Sequence, residues 1–199
     1  MALGFVRPAR PHDIGDIARI QLTTWRQAYQ RMLPRHVLEE VSEEWLRERW
    51  TEAVTAPPDP RCRVLIAIEQ AAQEHPAGFL AAGLDEDEQE IAAITELLVE
   101  PRWGRRGHGS RLLAAAVDLW REDGFTEARA WAFERDAATA KFLASAGWAP
   151  DGSARSLDVD DLLVPQIRWH CSLQQRPEAD GEAGTADHGT DRQQHTGHE

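Results

Sequence analysis

Apolar positions along this chain recur at two periods, and the periods trade places several times. Ile14, Ile17, Ile20 and Leu22 follow Asp13 at helical spacing and predict a capped helix over 13–30. Pro34 opens a short helix to about 41. Ser42, followed by Glu43 and Glu44, starts another to about 54. The proline-rich stretch 56–60 forbids helix. Apolar runs then predict strands at 63–69, 78–84, 91–99, 127–133 and 163–172, after a short first strand at 5–7. Helices are predicted over 109–123 and 136–146, stopped by Gly124 and Gly147. The acidic stretch 85–90 reads as a solvated turn. Pro165, near the start of the last run, suits an edge or strand-end position. Alternating strands and helices argue an α/β or α+β fold on a mixed sheet.

The sharpest local signal is ITELLVEPRWGRRGHGSRLL at 94–113. A β-rich run meets a proline, a turn carrying Gly104, Gly107 and Gly109, and at once a helix. Backbone N–H groups and the helix dipole converge at such a junction, and glycines let an anion approach closely. Arg105 and Arg106 add charge beside it. Two nucleotide motifs are excluded. Counting from Gly104 as a P-loop reaches Gly109, then Ser110 and Arg111, with no lysine. Gly107-His108-Gly109 lacks the third glycine of a dinucleotide fingerprint.

At 199 residues the chain holds one domain and an appendage. Residues 1–174 are expected to fold. Residues 175–199 are polar, glycine-rich and nearly free of large apolar side chains, and are expected to be a disordered acidic tail. That tail accounts for −4 of the net charge of −12. An acidic folded part argues against nucleic acid or an anionic membrane as partner and is compatible with a cationic amine. No apolar run reaches the roughly 18 residues of a membrane span. The N-terminus lacks the apolar core of a signal peptide, so a cytoplasmic protein is expected. Cys62 and Cys171 read as lone, reduced thiols. No Cys/His pair has zinc-ligand spacing, so no metal is expected.

From Val99 onward the loop resembles the pyrophosphate loop of the GNAT superfamily of acyl-CoA-dependent N-acetyltransferases. Arg106, Gly107 and Gly109 match, and Gly104 replaces the family's glutamine or arginine. DAATAKFLASAGW at 136–148 is similar to a helix of the same family, with Leu143 where a tyrosine is usual. Trp25, Arg26, Ala28, Tyr29, Leu33 and Pro34 resemble the acceptor-side helices of a bacterial subgroup. The resemblance covers about residues 4–173.

The resemblance implies a GNAT fold: a twisted, mostly antiparallel sheet of six or seven strands, flanked by helices and splayed at its central strands. Acetyl-CoA would enter that split as cosubstrate. Its pyrophosphate would meet backbone N–H groups of Arg105, Arg106, Gly107, His108, Gly109 and Ser110, near Gly104, with Arg106 favoured for a charge contact. The backbone of Leu98 or Val99 would hold the thioester carbonyl, a contribution on the order of 3 kcal/mol. His108 would act through its backbone. Asp136 would cap a helix beside the pantetheine. Trp25 and Tyr29 would line an acceptor pocket or pack as core. A homodimer is implied at family level.

Acid–base chemistry rests on less. Glu96 stands inside an apolar strand, where a carboxylate needs a partner or a purpose. It is the candidate general base, and pairing with an arginine is the competing account. Glu134 is a weaker candidate. Leu143 donates nothing, so the usual acid is missing. The activity expected is acetyl transfer to a primary amine of a small molecule or a protein. The alternative is a catalytically degenerate acyl-CoA-binding module.

Overall fold

The computed structural model describes residues 4–70 and 73–174, so the expected tail at 175–199 lies outside the described residues. Its elements are β1 (Phe5–Pro8), α1 (Ile14–Ala28), α2 (Arg35–Glu40), α3 (Glu43–Thr55), β2 (Arg63–Gln70), β3 (Glu74–Leu84), β4 (Ala92–Val99), α4 (His108–Glu122), β5 (Glu127–Phe133), α5 (Ala137–Ser145), β6 (Ala149–Val159) and β7 (Leu162–Ser172). One sheet of seven strands has the order β1-β2-β3-β4-β5-β7-β6. Every neighbour is antiparallel except β4 and β5, which run parallel. No helix among the described residues is long and apolar enough to cross a membrane.

Two apolar faces hold the sheet between helices. Leu65 and Ala67 of β2 point to one side, where Leu112, Leu113, Ala116 and Trp120 of α4 complete a core. Val64, Ile66 and Ile68 alternate to the other side, against Ile17 and Ile20 of α1. Ile17 and Ile20 are fully buried. Truncating either to alanine would cost about 2–5 kcal/mol. Cys62 and Cys171 are both free thiols.

Three departures from the sequence reading have physical causes. The strand β6 was not expected. It is largely exposed, so its apolar signal is confined to alternate positions such as Leu157 and Val159. Its hairpin to β7 turns at Asp160 and Asp161, both left-handed, the twist that suits a tight hairpin. Next, β3 begins at Glu74, upstream of the expected 78. Pro76 hid this extension, which is tolerated because the β2–β3 register shifts there. Lastly, Pro165 lies inside the sheet, on a strand flanked by β5 and β6. It stands one residue beyond the last β5 pair, Phe133 with Gln166, and its carbonyl accepts from Glu134 N at 3.0 Å. The missing N–H falls where β5 has ended.

Candidate active site

The parallel strands β4 and β5 pair only over Ala92–Ile94 and Ala128–Ala130. Beyond Ile94 they separate. The separation coincides with a bulge on β4: Ala81 of β3 faces Glu96, whereas Ala82 faces Ile94, leaving Thr95 unpaired. The Thr95 hydroxyl donates to Ala81 O at 3.1 Å and pins the bulge. A cleft of about 710 Å³ fills the split.

The ladder decides which backbone groups of β4 face that cleft. Glu100 N donates to Ala77 O. The two-residue alternation then turns Leu98 and Glu96 toward β3, and leaves Leu97 and Val99 with backbone groups toward the opening. Leu97 and Val99 line the cleft, while Leu98 is buried beneath it. Of the two residues expected to present a backbone group, Val99 faces the opening and Leu98 turns toward β3, while Leu97 shares the orientation of Val99. The sequence alone left the strand's phase, and the bulge that resets it, undetermined.

At the far end of β4 the glycine loop opens onto α4. Gly107 is left-handed (φ 80°) and precedes the helix, a conformation that strains any residue with a Cβ. Arg111 N to Gly107 O is the helix's first backbone bond, so the N–H groups of His108, Gly109 and Ser110 precede the ladder. Gly104, Arg105, Gly107, His108, Gly109 and Ser110 all line the cleft. A Cβ on Gly109 would come within 3.3 Å of the Phe142 ring of α5. The helix start is wedged between α5 and the strand end.

The two arginines of this loop part company. Arg105 borders the cleft. Arg106, expected to offer the charge contact, turns the other way. Its guanidinium meets Glu69 of β2 at 3.1 Å and stacks over Trp103 at 5.0 Å. Glu69 is buried and its other oxygen lies 2.7 Å from His108 Nε2. Arg111 approaches His108 Nδ1 at 3.2 Å. A guanidinium only donates, so Nδ1 must accept and Nε2 carries the proton given to Glu69. Burial holds the His108 imidazole below its ordinary pKa, against the opposing pull of Glu69. Glu69 thus fastens both residues flanking Gly107, a role no sequence motif announced.

Near the bulge, Glu96 forms part of the cleft wall. Gln21 of α1 donates to its Oε2 at 3.2 Å, and Trp50 of α3 fixes that glutamine by donating to Gln21 Oε1 at 2.7 Å. The partner is a neutral amide, so the arginine account is not what the structure shows. Burial pushes the Glu96 carboxyl from 4.5 up to about 7, with Trp25, Gln21 and Arg49 pulling back. The Trp25 indole N–H is buried and has no partner of hydrogen-bond geometry. Gln21 was detectable only as a polar residue next to the apolar stripe of α1.

Tyr29, at the end of α1, crosses the cleft and packs edge-on against Phe133 of β5, with centroids 5.0 Å apart. Trp25 lies beside it at 6.3 Å. Burial, then the charges of Glu96 and Asp136, raise the Tyr29 phenol above its ordinary pKa, so it stays protonated. Asp136 caps α5, accepting from Ala138 N at 3.2 Å, Thr139 N at 3.0 Å and the Thr139 hydroxyl at 2.6 Å.

The acetyltransferase (GNAT) family model matches residues 21–148. The chain belongs to that family and is an acyltransferase. It is 28% identical over 138 residues to the uncharacterized N-acetyltransferase YuaI of Bacillus subtilis (strain 168), covering 66% of this chain and 72% of that protein. Two solved structures share the fold. The PaiA N-acetyltransferase of Thermoplasma acidophilum, in complex with coenzyme A, has a TM-score of 0.61 and 16% identity, covering 83% of this chain and 98% of its own. The yncA protein of Salmonella typhimurium, with its cofactor acetyl-CoA, has a TM-score of 0.62 and 15% identity, covering 89% and 98%.

For a GNAT enzyme, two further positions matter. Leu143 is buried and lines the cleft from α5, filling the usual tyrosine position with an apolar side chain. Glu134 is exposed and outside the cleft lining, so the structure does not bring it to Glu96. Its backbone N–H donates instead to Pro165 O of β7.

Proposed function

We propose that this enzyme transfers the acetyl group of acetyl-CoA to a primary amine by direct attack in a ternary complex. The observation that carries this reading is the continuity of the cleft. It runs from the free N–H groups at the start of α4, along the unpaired edge of β4, to the carboxyl of Glu96. Acetyl-CoA supplies an activated acyl carbon: the amine nitrogen bonds to it, the C–S bond breaks, and an amide and a thiol result.

The chain's own groups then have distinct tasks. The N–H groups of His108, Gly109 and Ser110, with Arg105 beside them, receive the pyrophosphate. Arg106 and His108, fastened to Glu69, hold that loop in shape. The Leu97 or Val99 N–H donates to the thioester oxygen as negative charge grows on it. Glu96, with its raised pKa, takes the proton from the amine near neutral pH. The Tyr29 hydroxyl, held protonated, donates a hydrogen bond to the departing thiolate sulfur, a task Leu143 cannot perform. Asp136 orders the start of α5 and Trp25 borders the acceptor.

The test is calorimetric titration with acetyl-CoA, coupled to thiol release over an amine panel. Binding that is lost in Gly107→Asp, with the far-ultraviolet spectrum unchanged, is expected. A wild-type protein that fails to bind acetyl-CoA overturns the reading.

A further inference from the structure

The acceptor end of the cleft has a composition that selects among amines. Trp25 and Tyr29 line it from α1, Leu33 and Val37 from the α2 side, and Leu157 and Val159 from β6. Phe133 closes the floor against Tyr29. The α2 side and the β6–β7 hairpin approach each other here: His36 Nε2 lies 2.5 Å from Asp160 Oδ2 at the hairpin turn. The apolar side chains from α2 and β6 therefore form facing walls at this end of the cleft.

Charge is distributed one-sidedly. Glu96 and Asp136 are the carboxylates lining the cleft among the described residues, and both lie within electrostatic reach of Tyr29. The basic side chains lining it, Arg105 and His108, are both at the α4 end. An ammonium entering this end of the cleft meets Glu96. A carboxylate or phosphinate attached to the same molecule would meet aromatic and aliphatic walls, and burying it unpaired is costly. A polycation would place its second charge against the same apolar surface.

On the acyl-transfer reading above, we infer that the acceptor is a small primary amine whose substituent is apolar or aromatic and carries no second charge. Amino acids, polyamines and protein lysines are thereby disfavoured. Leu157 and Val37 set this selectivity through the walls, and Glu96 sets the position of the nitrogen.

The experiment compares kcat/KM, at saturating acetyl-CoA, for 2-phenylethylamine, L-phenylalanine, spermidine and a lysine-containing peptide. The first two differ only by a carboxylate. Phenylethylamine should exceed phenylalanine by on the order of 10²-fold, the size of discrimination that an unpaired buried charge produces. Leu157→Arg should narrow that ratio by at least about tenfold, because it supplies the missing cation. Its acetyl-CoA affinity should match the wild type, which certifies the fold. Equal or better turnover of phenylalanine, spermidine or the peptide overturns the inference. So does acetyl-CoA binding with no turnover of phenylethylamine. Failure to bind acetyl-CoA at all overturns the acyl-transfer reading itself, a different result.

Discussion

Replacing Glu96 with glutamine should make the protein more stable and less active, and the two effects should share one pH dependence. The folded state raises this carboxyl from 4.5 to about 7. Between those values the folded protein holds a proton that the unfolded chain has released. Stability therefore falls as pH rises through the window, and the loss is complete above pH 7. At about 1.36 kcal/mol per pKa unit the full shift is worth about 3 kcal/mol. Partial exposure to the cleft lowers that to about 2 kcal/mol. Glutamine keeps an oxygen for Gln21 to donate to and never ionises. The Glu96→Gln variant should match the wild type at pH 4.5 and exceed it by about 2 kcal/mol at pH 8, a rise in Tm of about 4–8 °C. Urea denaturation at both pH values measures this. In thiol-release assays kcat should fall by about 10²–10⁴, and the acid limb of the rate profile near pH 7 should vanish. A stability difference that is the same at both pH values refutes the burial argument. A variant that keeps its acid limb refutes the base assignment.

The clamp below the glycine loop offers a second test. Glu69→Ala leaves the His108 Nε2–H buried without an acceptor and frees Arg106. It should cost about 1–3 kcal/mol in denaturation and raise the KM for acetyl-CoA with little change in kcat. Gly107→Ala forces a Cβ into the left-handed region and should weaken acetyl-CoA binding in titration calorimetry, by less than Gly107→Asp, which adds a repelling charge. Tyr29→Phe keeps the packing on Phe133 and removes the hydroxyl. It should lower kcat by about 10²-fold while 2-phenylethylamine's KM stays within a few-fold, measured by steady-state kinetics.

Local pattern carried much of this molecule. The helical stripe of α1, the β-rich run before the glycine turn and the caps of α3 and α5 depend on neighbours within a few residues, so the sequence alone specified them. Glu96 also stood out, since a carboxylate in an apolar strand is costly wherever the strand ends up. Other features depend on segments far apart in the chain. Arg105 and Arg106 are adjacent and chemically alike, and only β2, which delivers Glu69 37 residues away, turns one from the cleft and leaves the other facing it. Likewise Gln21 reaches Glu96 across 75 residues, because α1 packs over β4. The bulge at Thr95 sets which β4 amides are free, and a one-residue change of phase exchanges Leu98 for Leu97. The exposed strand β6, weak in apolar signal, joins the cleft wall through Leu157 and Val159 only because its hairpin lies against the α2 side. Propensity and hydrophobic period are properties of short segments; the direction of a side chain in a cleft belongs to the packing of distant ones.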